Sequence, residues 1–167
     1  EAMGAAALLD GAAKVRFPKH FPALKGFPSP GRLVGLAQAL KGYDLICTYN
    51  WGAMDVAMAH AAFAGAFRLP RLIHPEDGFN ADEAVRLKPQ RNLYRRAALR
   101  GAARVIVPST GLERIAREVW HQPRAKVLRI ANGIDAAAFA AAPTPGALRV
   151  VKRAGESWIG TLAGLRP

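Results

Sequence analysis

Four short apolar runs, each followed by a stretch of helical periodicity, succeed one another between Leu45 and Gly133. Residues 45–49 read as a buried strand, Asn50-Trp51-Gly52 as a turn, and 53–67 as a helix with Met54, Ala57, Ala61 and Ala64 recurring at helical spacing. Pro70 stops that helix, and 71–74 form a second short strand ending at Pro75. Residues 89–100 are helical, with Gly101 expected as the C′ residue that closes the helix. A third strand spans 104–107. It runs into a helix over 111–120, where Thr110 and Glu113 fit a capping box and Leu112, Ile115, Ala116 and Val119 share one face. A fourth strand covers 126–130, and Asn132-Gly133 marks a turn after it.

Strand and helix in this rhythm predict an α/β fold: a Rossmann-like parallel sheet with right-handed crossovers and helices on both faces. An earlier strand at 14–17 and an earlier helix at 32–40 extend the pattern. Residues 76–87 read as a loop or irregular helix and 136–146 as a loop or short helix ending a domain. Residues 158–162 look like the first strand of something else. The expected division is therefore 1–150 as one domain and 151–167 as the start of a second.

Composition excludes several classes. At 167 residues, 51% hydrophobic and 22% charged, the chain suits one packed domain and not a disordered one. A lone Cys47 excludes an internal disulfide framework and Cys-x-x-Cys zinc sites. No apolar run approaches the ~18 residues of a spanning helix, and no basic, apolar leader pattern opens the chain. Without an initiator Met, the sequence is expected to begin inside a longer protein, in the cytoplasm or peripheral on the inner face of a membrane. The net charge of +12, from 24 basic and 12 acidic residues, favours an anionic partner.

In open α/β sheets ligands sit beyond the carboxyl ends of the strands. That rule selects Tyr49, Asn50, Trp51 and Gly52, then His74, Glu76, Asp77 and Gly78, then Ser109 and Thr110. His74 ends a strand beside two carboxylates and suits hydroxyl binding or proton transfer, or a hydrogen bond to backbone. Glu76 and Asp77 read as an acid/base pair, a cation site, or plain solvated caps. The Tyr49–Gly52 turn offers polar and stacking groups, or a packed corner. Ser109-Thr110 suits a phosphate at a helix N-terminus, or simple capping. His20, His60 and His121 have structural or solvated settings. No dinucleotide fingerprint, P-loop, Gly-x-Ser-x-Gly or His-Glu-x-x-His pattern occurs, and no metal cluster.

Between Ala84 and Leu112 there is no acid, while Arg91, Arg95, Arg96 and Arg100 stand on one predicted helix as i,i+4 pairs. The run reads as a solvated face, or as a cationic surface for an anionic membrane or other anionic partner. Only Tyr94 interleaves it, which disfavours nucleic acid.

Arg104-Val105-Ile106-Val107-Pro108-Ser109, Leu112 and Ile115, then Lys126–Asp135 with Asn132-Gly133-Ile134-Asp135 and Phe139, then 159–167, resemble group 1 (family 4) glycosyltransferases in order and spacing. The resemblance covers residues 43–167 and is nearest to bacterial sugar transferases of polysaccharide and glycan assembly. It implies the N-terminal half of a GT-B fold, the acceptor-side domain with the first strand of the donor-binding one. It gives His74 a catalytic place in the cleft near the donor sugar, the Tyr49–Gly52 turn a cleft-lining role, and Asn132–Asp135 an interdomain connection. The reaction implied is hexosyl transfer from a nucleotide-sugar to a glycan or lipid-linked acceptor with retention, without a cofactor or metal. The family's Glu-x7-Glu motif belongs to the second domain; here no two glutamates stand eight apart, Gly164 replaces a frequent Arg, and the first strand with its Gly-rich turn is not recognisable. The fragment alone is expected to be inactive. The rival readings are a GT-B epimerase or phosphorylase and a non-catalytic α/β module that binds anionic partners.

Overall fold

The computed structural model describes residues 14–24, 26–79, 81–83, 86–142, 144 and 153–160. Helix α1 (Pro30–Ala39) precedes strand β1 (Leu45–Cys47). A 3-10 turn (Trp51–Ala53) leads into α2 (Met54–Phe67), β2 (Arg71–Pro75), a second 3-10 turn (Ala81–Glu83) and α3 (Pro89–Ala98). A third 3-10 turn (Leu99–Gly101), β3 (Arg104–Val107), α4 (Thr110–Glu118), β4 (Val127–Arg129) and α5 (Ala136–Ala140) complete the order.

The four strands form one sheet in the order β1-β2-β3-β4, every neighbour parallel. The register aligns Ile46 with Leu72, His74 with Val105, and Val105 with Val127, so these residues share a face. On that face Ile46, Leu72, His74, Val105 and Val107 are buried beneath the helices. On the other, Leu45, Cys47, Arg71, Arg104 and Leu128 are exposed. Consecutive neighbours joined by crossovers of one hand carry all their helices to one side. Towards the middle of the sheet the opposite face is half-buried, at Ile73 and Ile106.

The core joins Leu36, Ala37, Leu40, Met54, Ala57, Leu72, Leu99, Val105, Ala116 and Trp120. Each large side chain fully withdrawn from water there contributes roughly 1.5–3 kcal/mol. Helix α1 starts two residues before the expected position because Pro30 occupies its first turn and Ser29 caps it, accepting from the Arg32 amide at 3.4 Å. Residues 14–17 form no strand and are exposed.

Two other expectations fail for identifiable reasons. Gly101 is not the C′ residue of α3, which ends at Ala98 and passes into the 3-10 turn that Gly101 closes. A Cβ there would stand 2.7 Å from Ala61 Cα, so the glycine lets the end of α3 press against α2, and small residues on α2 receive it. The capping box at Thr110 is absent: Ser109 is the cap, its hydroxyl accepting from the Leu112 amide at 3.2 Å, while Glu113 pairs with Arg117 and Arg129. Residues 153–160 hold no strand, and 161–167 with the rest of the expected second-domain strand lie outside the described residues. No helix among the described residues is long and apolar enough to cross a membrane.

Candidate active site at the carboxyl ends of the strands

The loops after β1 and β2 are stitched together. The Asn50 amide donates to the Pro75 carbonyl at 3.0 Å, and the Asn50 side-chain oxygen accepts from the Asp77 amide at 2.7 Å. The Tyr49 hydroxyl donates to the Asp77 carboxylate. Asn50 has φ of +51° and ψ of −170°, a strained conformation outside the left-handed helical region, and its bond across to Asp77 holds it there. Asp77, accepting the phenolic proton, pushes the Tyr49 pKa up. Tyr49 and Asp77 are exposed on the rim.

His74 does not face the solvent cleft expected of it. The ring is fully buried, with Nδ1 2.8 Å from the Thr48 hydroxyl and Nε2 3.4 Å from Glu76 Oε2. It lines neither cavity described below. The physical reason is alternation along β2: His74 and Glu76 fall on the side covered by helices.

Behind Glu76 lies Arg95, also fully buried. Its guanidinium donates twice to the Glu83 carboxylate, at 3.1 and 3.0 Å, and its Nε stands 3.7 Å from Glu76 Oε2. The rings of Trp51, Phe79 and Trp120 surround it at 4.8, 5.1 and 5.4 Å. Arg95 is thus no part of a cationic surface. Arg91 is only partly available, being bonded to Asp82 and Glu83 at 3.0 Å each. Of the four arginines expected on one exposed face, Arg96 and Arg100 alone are exposed. The acids that consume the other two come from the 76–83 loop, outside the acid-free run.

Electrostatics follow the pairing. Burial pushes the Glu83 pKa up, but hydrogen bonds from Arg95 and Arg91 outweigh it and leave it lowered. Lys88 and Arg91 lower Asp82, and Arg91 is raised despite burial by Glu83 and Asp82.

A cavity of about 690 Å³ opens beside this network, walled by Trp51, Gly52, Asp55, Gln90, Arg91 and Tyr94, with Leu24, Gly26 and Pro28 across it. Trp51 meets Tyr94 edge to face at 5.9 Å, and the Arg91 guanidinium lies over the indole at 4.9 Å. Asp55 accepts from Arg32 and, at 2.7 Å, from the Tyr94 hydroxyl. Burial, then the Asp55 carboxylate, pushes the Tyr94 phenol well above its ordinary value. An aromatic wall with fixed donors and acceptors suits a polar, ring-bearing ligand such as a sugar. Trp51 and Gly52, selected from the sequence as substrate-binding candidates, line this cavity. Asp55, Gln90 and Tyr94 were missed, although Asp55 in the first turn of α2, directly after the selected turn, was the available signal.

A smaller cavity of about 270 Å³, lined by Phe21, Tyr43, Cys47 and Thr48 among others, lies beside β1. Gly78 borders Asp77 on the rim but lines neither cavity. Ser109 and Thr110 are exposed at the start of α4, Ser109 being spent on its cap. Among the described residues no group of three or more His, Cys, Asp or Glu converges as a metal ion requires.

A family model described as a glycosyl transferase 4-like domain matches residues 5–133, most of the chain. No curated protein and no solved structure matches it.

Proposed function

We propose, because the chain belongs to the glycosyl transferase 4-like family, that it forms the acceptor-side half of an enzyme moving a hexosyl group from a nucleotide-sugar to a glycan or lipid-linked acceptor. Residues 1–150 are this half, and 151–167 begin the lobe that binds the donor. The observation carrying the reading is the 690 Å³ cavity against the Tyr49–Gly52 turn, beyond the carboxyl end of a parallel sheet. Trp51 offers the acceptor ring a face, Asp55 and Gln90 offer polar partners, and Asp77 and Tyr49 form the adjoining lip.

The departing nucleoside diphosphate needs fixed cations or helix N-termini near its developing charge. In this reading the second lobe supplies them. This half orients the acceptor hydroxyl and, on closure, excludes water that would otherwise take the sugar. Transfer proceeds with retention at the anomeric carbon and needs no metal. His74 enters as a positioning residue. Hydrogen-bonded to Thr48 and facing Glu76, it ties the end of β1 to the end of β2 and to the Arg95 strut that backs Trp51.

The test is a panel of nucleotide-sugars incubated with this chain alone and with one continuous with the sequence following it in its gene. Acceptor-dependent release of nucleoside diphosphate by the longer polypeptide, lost in Trp51→Ala, supports the reading. Isomerised nucleotide-sugar would favour an epimerase instead, and no turnover by the longer polypeptide would end it.

A further inference from the structure

The 690 Å³ cavity belongs to a chain of net charge +12, yet its wall is electrically balanced. Among its described lining residues only Asp55 and Arg91 carry charge, and each is matched by partners outside the lining. Arg91 is bound through both terminal nitrogens, Nη1 to Asp82 and Glu83 at 3.0 Å and Nη2 to Asp82 at 2.9 Å. Asp55 is engaged at both oxygens. One accepts from Arg32 Nη1 and the other, at 2.7 Å, from the Tyr94 hydroxyl.

Arg32 stands in the first turn of α1 and does not itself line the cavity. Its second terminal nitrogen donates to the carbonyls of Ala23 at 2.8 Å and Leu24 at 2.6 Å. Leu24, Gly26 and Pro28 form one wall of the cavity, so a single guanidinium both cancels the Asp55 charge and holds that wall. Gly26 makes room for it: φ is +145°, and a Cβ there would stand 3.3 Å from Arg32 Nε. The Arg32 and Asp55 side chains are 16% and 18% exposed, so salt screens their pairing less than it would on an open surface.

We propose that this cavity selects an uncharged sugar, and that Arg32 is the positioning residue that makes it so by neutralising Asp55. The inference rests on the transferase reading for naming that sugar the acceptor; the charge preference concerns binding alone. A uronate or sugar phosphate would have to draw Arg91 away from two carboxylates. A protonated amino sugar would meet an Asp55 already paired with Arg32. In both cases a charge leaves water without gaining a counterion. A hydroxyl has no such cost, because it can donate to a remaining carboxylate lone pair or bond the Gln90 amide. The Tyr94 phenol, its pKa pushed up by burial and then by Asp55, stays neutral beside it. The overall charge argues the other way, since a net positive field draws anions, and that makes a preference for neutral sugars discriminating.

The test is saturation-transfer NMR of the full chain in about 0.15 M salt with matched methyl glycosides of glucose, galactose and mannose. Each set holds the parent hexoside, its uronate, its 6-phosphate and its 2-amino derivative, and loss of signal in Trp51→Ala assigns binding to this cavity. One parent hexoside should bind about tenfold or more tighter than its charged derivatives. Arg32→Gln, folded by circular dichroism, should raise the affinity of the amino sugar relative to its parent about tenfold, and Arg32→Lys should restore the parent's preference. Asp55→Asn, which leaves Arg32 uncompensated, should instead raise the uronate relative to its parent. A damaged wall alone would weaken all four members alike and leave these ratios unchanged. Preference of the wild type for a charged member, equal binding of all members, no sugar bound in this cavity, or unchanged ratios in the folded variants would each overturn the proposal. No donor is present, so turnover by the longer polypeptide is read separately and decides the transferase reading on its own.

Discussion

The two ends of the sheet use their arginines in opposite ways. At the carboxyl end Arg91 and Arg95 are enclosed by Glu76, Asp82 and Glu83, and Arg95 is out of contact with water. At the amino end Arg68, Arg71, Arg100, Arg104 and Arg124 are exposed, with no carboxylate partner among the described residues. The difference shows that a basic run has no single meaning. An arginine under a helix layer serves architecture, and one at a helix–strand junction stays in solvent.

If that contrast holds, Arg95→Met should cost about 3–5 kcal/mol in urea unfolding, because Glu76 remains buried without its cation and Glu83 keeps only Arg91. A loss below about 0.5 kcal/mol would mean the network is no strut. Packing, and not charge, should dominate stability at the other end. There Gly101→Ala forces a methyl against Ala61 and should cost about 1–3 kcal/mol by the same measurement.

Acid titration sharpens the comparison further. The folded pKa of Glu83 lies below its unfolded value of about 4.3, so its stabilising contribution is full above that value and disappears as pH falls through the folded one. Unfolding free energy should therefore decline on the acid side, and Glu83→Gln should flatten that limb while lowering stability at neutral pH. Smallest of all should be Arg71→Gln with Arg124→Gln. Two exposed cations without ion-pair partners should move the melting free energy by under about 0.5 kcal/mol. A large loss would show that they hold the fold.

Much of the scaffold was legible in advance. The runs at 45–47, 71–75, 104–107 and 127–129 are strands, and the intervening periodic stretches are helices, because each signal is local to a few residues. The stretch at 14–17 failed for the complementary reason: Val15 and Phe17 pair with no strand among the described residues and are exposed. Of the candidate site, Trp51 and Gly52 were found through the carboxyl-end rule and line the cavity. Tyr94 and Gln90 were not, because they reach it only when α3 packs beside α2.

His74 was selected for its place at the end of a strand, and position along a strand says nothing about which face is covered. Its burial depends on α2, α3 and α4 all crossing to one side of the sheet. The alternation of apolar runs and helical faces alone determined a parallel α/β domain, since hydrophobic period and turn residues act over short range. Tertiary packing alone decided which arginines are consumed and which remain free. Ion pairing requires charges within about 4 Å, and only the folded 76–83 loop brings Glu83 to Arg95.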